Sequence, residues 1–131
     1  MLRTYSTNIT GTADTAIVFN TNKIDTNRNV NHTAGSSDIL INTPGYYKIT
    51  VDANYSAAAA GLVSLQLFAD NVALSDAISS ITVTQNNVNN GNFTTIIKAN
   101  PGVAQQNVIL TVKPTADITI NQIGVCINKL P

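Results

Sequence analysis

The chain has 131 residues, a length suited to one domain with a core of its own. Seven Lys and Arg balance seven Asp, Glu is absent, and the formal net charge is zero. Lys23, Arg28, Lys48, Lys98 and Lys113 are scattered without a basic stripe, which argues against a nucleic-acid surface, and no apolar window approaches the length of a membrane-spanning helix.

In place of charge the chain carries 18 Asn and 17 Thr. Thr suits strands and Asn suits turns, so an all-β domain is expected. Such a surface offers short hydrogen-bonding groups to a sugar, although a neutral strand-and-turn surface is the simpler account of it. The opening MLRTYSTNITG has no basic region followed by an apolar core, so a signal peptide is not expected. Asn-x-Ser/Thr sites at Asn8, Asn31, Asn54 and Asn92 carry little weight in so Asn- and Thr-rich a chain.

Residues 1–14 read as an N-terminal arm or attachment segment, with a short first strand in residues 1–12 as the alternative. A single domain then covers 15–131. Thr15 to Asn20, TAIVFN, is a short strand candidate. Asn22 to Ser37 reads as a long polar loop, with room for a short edge strand from Arg28 to His32. Asp38 to Asn42 and Tyr46 to Tyr55 follow as two strands around the break Thr43-Pro44-Gly45. The second alternates with period two: Tyr47, Ile49, Val51, Ala53 and Tyr55 share one face, and Tyr46, Lys48, Thr50, Asp52 and Asn54 the other.

Ser56 to Gly61 is too short for an independent helix and reads as a connection. In the strand Leu62 to Ala69, Val63, Leu65, Leu67 and Ala69 share a face, opposite Leu62, Ser64, Gln66 and Phe68. Asp70-Asn71 marks a turn, and Val72 to Leu74 completes a hairpin. Ile78 to Thr84 is another strand. Asn90-Gly91, in QNNVNNGN, is a favourable type I′ pair, which predicts a turn before the strand Phe93 to Ala99. Asn100-Pro101-Gly102 breaks that strand and Gln105 to Lys113 forms the next. The last run, Ile118 to Ile127, changes phase at Asn121-Gln122, which predicts a bulge. Eight or more strands with no helix fit two packed antiparallel sheets, as a sandwich or jelly roll. Phe19, Tyr47, Ile49, Val51, Val63, Leu65, Leu67 and Ile127 are the expected core.

Nothing in the spacing points to catalysis. Asp25, Asp52, Asp70, Asp76 and Asp117 occur singly, whereas a glycosidase needs two carboxyl groups flanking the bond. Cys126 lies alone in the apolar run IGVCI and reads as a small buried hydrophobe, with no intrachain disulfide available. The single histidine, His32, has no second His or Cys to make a zinc site. Asp25, Asn27, Asn29 and Asn31 supply oxygens at close intervals, but without an EF-hand pattern. The expectation is no enzyme, no cofactor and no metal.

Ile17-Val18-Phe19-Asn20 looks like the first strand of complement-C1q-like and tumour-necrosis-factor-like jelly rolls. Pro44-Gly45-Tyr46-Tyr47-Lys48-Ile49 resembles that superfamily's Gly-x-Tyr-x-Ile/Val strand, through Gly45, Tyr47 and Ile49. Val63 to Asn71 resembles its following strand and turn, and Gly124 to Leu130 its closing strand. The likeness runs from about Thr15 to Leu130 and is nearest to bacterial and phage versions, such as the C-terminal domain of collagen-like spore-surface glycoproteins. No Gly-x-y tract is present.

This resemblance implies a two-sheet antiparallel jelly roll assembled as a homotrimer, with one sheet packed near the threefold axis. It marks Tyr46, Lys48, Thr50 and Asp52 as the trimer interface. The expected role is a structural protein of a virion surface, or of a bacterial spore or cell surface. Its partner there is a capsid, fibre or surface-layer protein, held through the N-terminal segment. The competing role is an adhesin head for surface glycans, with Tyr55, Phe68, Asn87, Asn89 and Asn90 as candidate ligand residues.

Overall fold

The computed structural model describes residues 1–26, 29–101 and 107–131. Its strands are β1 (Leu2–Gly11), β2 (Thr21–Asp25), β3 (Val30–Asn31), β4 (Ile39–Ile41), β5 (Gly45–Ser56), β6 (Gly61–Ala69), β7 (Val72–Val83), β8 (Asn89–Ala99), β9 (Val108–Pro114) and β10 (Ile118–Lys129). They make two five-stranded sheets, β2-β1-β10-β5-β8 and β3-β4-β9-β6-β7, in which every named pairing is antiparallel. The sheets pack face to face as a jelly-roll sandwich.

Alternation builds the core. In β5 the positions Tyr47, Ile49, Val51, Ala53 and Tyr55 are all buried, and every position between them is at least partly exposed. From the other sheet Val63, Leu65 and Leu67 of β6 meet them, joined by Leu110 and Val112 of β9. Phe19 and Ile127 complete the expected core set. Each large aliphatic side chain so buried contributes about 1.5–3 kcal/mol.

The N-terminal reading needs correction. Residues 2–11 are not a loose arm but the second strand of the first sheet, paired to β10 from Leu2↔Ile127 to Gly11↔Ile118. The strand is hard to see in sequence because its inward positions include Thr4 and Ser6, both buried. Their hydroxyls donate to backbone carbonyls, Thr4 Oγ1 to Thr21 at 3.0 Å and Ser6 Oγ to Val18 at 2.7 Å, which removes the cost of burying them. Conversely, TAIVFN is not a ladder strand. Phe19 makes only an isolated bridge to Ser36, although Ile17 and Phe19 are fully core.

Two turns differ in the same way. Asp70 and Asn71 both have positive φ, 50° and 65°, as a tight hairpin between right-twisted strands requires. Asn90-Gly91, in contrast, lies inside β8 opposite Asn54 and Ala53, and the positive φ in that connection belongs to Asn86. The β10 ladder to β5 shifts between Ile120 and Gln122, at the position where its sequence changes phase. Asn27, Arg28, Gly102 and Gln105 lie outside the described residues, and the strand expected from Gln105 is described from Val108.

His32 is the least expected part of the interior. It is buried, its ring nitrogens meet Asn22 Oδ1 at 2.5 Å and the Ser36 carbonyl at 2.8 Å, and its ring stands edge-on to Phe19. It ties β2 and the Ser36 turn to the chain after β3; it is a structural residue of the polar stretch that had read as a loop.

Candidate functional site

The outward face of the first sheet is assembled by register. Across β8, β5, β10 and β1, one row runs Thr94–Thr50–Cys126–Arg3, the next Asn92–Asp52–Gly124–Tyr5, and the next Asn90–Asn54–Gln122–Thr7. Below them lie Ile96–Lys48–Asn128 and then Lys98–Tyr46. The four residues marked for a subunit interface, Tyr46, Lys48, Thr50 and Asp52, therefore occupy the outward face of β5, one strand from the β8 edge.

This face is mixed. Tyr46 is 53% exposed and its diagonal neighbour Ile96 is 56% exposed, which makes two large apolar groups side by side on a strand pair. Around them, Thr50 and Thr94 hydroxyls lie 3.2 Å apart, Asn90 Nδ2 donates to Asn54 Oδ1 at 2.9 Å, and Asn92 Nδ2 donates to Asn90 Oδ1 at 3.1 Å. Arg3 Nη1 lies 3.2 Å from Asp52 Oδ1. That pair is partly solvated, so it contributes less than about 1 kcal/mol, and its effect is to fix the two side chains in place.

Cys126 is also on this face. It is half-exposed, between Arg3 of β1 and Thr50 of β5, and not buried among the apolar residues beside it. The β10 irregularity sets its parity: Ile123, Val125 and Ile127 point inward, leaving Gly124 and Cys126 outward.

The candidate ligand residues do not form one site. Tyr55 is fully buried, in line with Tyr47 and Ile49, so it is core and not a surface contact. Its hydroxyl has no hydrogen-bond partner, and burial pushes its pKa above the ordinary value of about 10.0. Gly91 makes room for the ring; a Cβ there would lie 3.0 Å from Tyr55 Cε1. Phe68 sits on the outward face of the other sheet, half-buried beneath Lys113, whose Nζ is 4.6 Å from the ring centroid. Asn87, Asn89 and Asn90 lie at the opposite end of β6 from Phe68, near the Gly61↔Val83 pair. Their amides are engaged locally: Asn87 Nδ2 donates to Thr84 Oγ1, and Asn89 Nδ2 to the Asn87 carbonyl.

The Asn- and Asp-rich stretch is likewise dispersed. Asp25 pairs with Leu2 on β2, Asn31 with Leu40 on β3, and Asn29 Oδ1 accepts from the Thr43 hydroxyl. Asn27 lies outside the described residues. Among the described residues, no three His, Cys, Asp or Glu side chains group closely enough to hold a metal ion.

No protein-family model and no curated protein sequence matches this chain. Solved structures do. The globular domain of zebrafish complement 1qA protein superposes with a TM-score of 0.77 at 11% identity, over 99% of this chain and 96% of that one. The Eiger TNF of S. frugiperda gives 0.72 at 11% identity, over 99% and 92%. PRD1 vertex protein P5 gives 0.65 at 12% identity, over 99% and 96%. The chain therefore has the C1q/tumour-necrosis-factor-like jelly-roll fold, and at these identities the likeness is one of fold.

Proposed function

We propose that this chain is a non-enzymatic structural protein that works as a homotrimer on a particle surface, a virion in the first instance and a bacterial spore or cell surface as the alternative. The observation that carries the reading is the outward face of β5 and β8. Tyr46 and Ile96 expose apolar surface side by side within a field of threonines and amides. Tyr provides a rigid apolar contact with a hydroxyl at its tip, the kind of residue that anchors interface centres. The absence of net charge lowers the repulsion between copies. A vertex protein among the structural neighbours supports the particle-surface setting.

Tyr46, Lys48, Thr50 and Asp52 form the subunit contact in this reading. A closed three-membered ring uses a heterologous interface, in which this face meets a different patch of the next copy. Attachment to a capsid, fibre or surface-layer protein goes through the N-terminal segment. Because residues 2–11 are locked into the sheet, the partner engages a folded strand near Met1 and not a loose peptide.

Substitution at Tyr46 tests the contact. Tyr46→Asp places a charge in the interface while leaving the core untouched, so sedimentation should show dissociated, folded subunits. Asn87→Asp, on a loop outside the contact, should leave the assembly unchanged. Full assembly in Tyr46→Asp would reject this face.

A further inference from the structure

Arg3, Tyr5 and Thr7 alternate along β1 and so face outward together over roughly 13 Å of strand. With Lys23 of β2 and Gln122 of β10 they line an open depression of about 310 Å³. A backbone irregularity brings Lys23 in. Arg3 pairs with Ile24 and Thr4 pairs with Asn22, so Lys23 is the extra residue of a bulge. Bulges re-aim side chains, and this one puts a second cation beside Arg3.

The lining is one-sided in its chemistry. Every one of the five side chains carries an N–H or O–H donor, two are cationic, and none is a carboxylate. It is also graded along its length. Arg3 and the Lys23 bulge mark one end, Thr7 and Gln122 face each other across the β1–β10 pair at the other, and Tyr5 lies between. Arg3 is held from behind by Asp52, which does not line the depression.

We infer that this depression binds an acidic sugar, with the carboxylate at Arg3 and Lys23, the ring against Tyr5 and hydroxyls on Thr7 and Gln122. Paired cations match a carboxylate with charge-assisted hydrogen bonds. A hydroxyl and an amide, each able to donate and accept, match sugar hydroxyls, which do the same. A bare oxyanion would use one end only. The site is independent of the trimer reading. It lies on the β2 side of the sheet, separated from the Tyr46–Thr50 strand by β10.

The test is a titration of the native protein with methyl β-glucuronide, followed by backbone amide shifts, with methyl β-glucoside and inorganic phosphate in parallel. Saturable shifts at Tyr5, Thr7, Lys23 and Gln122 are expected for the glucuronide, with the glucoside and phosphate each about tenfold weaker or more. Lys23→Ala, at an exposed position, should weaken the glucuronide about tenfold and leave the rest of the spectrum in place, while Lys23→Arg restores binding. No saturable glucuronide binding, equal binding of glucoside or phosphate, or unchanged affinity in Lys23→Ala would overturn the assignment.

Discussion

Arg3 of β1 reaches Asp52 of β5 across the whole width of β10, Nη1 to Oδ1 at 3.2 Å, by passing over Gly124. A side chain at that glycine would occupy the guanidinium's place, since a Cβ there would lie 2.5 Å from Arg3 Nη2. The bridge therefore depends on a missing side chain in the strand between its ends, and it connects the sugar depression to the proposed subunit contact.

Gly124→Ala should displace the guanidinium and break the pair at little cost to folding, under about 1 kcal/mol, because the tip of a long side chain moves easily. Gly11→Ala is the informative contrast. Its Cβ would lie 2.9 Å from Ile118 Cγ1 and 3.1 Å from Ile120 Cδ1, both core side chains. Overpacking there should cost about 1–3 kcal/mol. Denaturant unfolding of the two variants should preserve that order, and an equal or reversed cost would refute the packing described around β10.

Tyr55 yields a second contrast. Its hydroxyl is buried and unpartnered, whereas the Tyr47 hydroxyl meets Thr43 Oγ1 and donates to the Thr43 carbonyl, each at 2.8 Å. Tyr55→Phe should be neutral or stabilising by about 1 kcal/mol, and Tyr47→Phe should cost about 0.5–1.5 kcal/mol. Alkali should sharpen the difference. The folded chain holds the Tyr55 proton more tightly than the unfolded chain does, so this contribution to stability is complete below pH 10 and is lost as pH rises beyond it. Unfolding followed through that range should show a shallower fall in Tyr55→Phe than in the parent.

Cys126 reports on the interface from within. Its thiol is half-exposed on a single chain and stands next to Thr50, one of the proposed contact residues. Assembly through this face should protect it. A thiol reagent should modify Tyr46→Asp subunits at least about tenfold faster than the parent, given that most of the reaction in a closed interface waits for dissociation. Equal rates would mean that Cys126 lies outside the contact.

The sequence made the fold legible where burial is written as alternation. Tyr47 to Tyr55 and Val63 to Leu67 repeat with period two, and these residues fill the space between the sheets. The same alternation already placed Tyr55 on the buried face, which is where it stands. What the sequence concealed follows from pairing between distant segments. β1 carries Thr4 and Ser6 inward, and only the carbonyls of Thr21 and Val18 make that tolerable. Cys126 looks apolar by its neighbours, yet the shift between Ile120 and Gln122 turns it outward. Lys23 reaches its depression through a bulge that exists only in the ladder with β1. Asn90-Gly91 has the composition of a turn, and the ladder to β5 absorbed it.

The mass of the native protein in solution, measured by light scattering over a dilution series, tests the central claim most directly. The expected result is three times the chain's 13.8 kDa, held across the series. A mass of one chain at every concentration would contradict it.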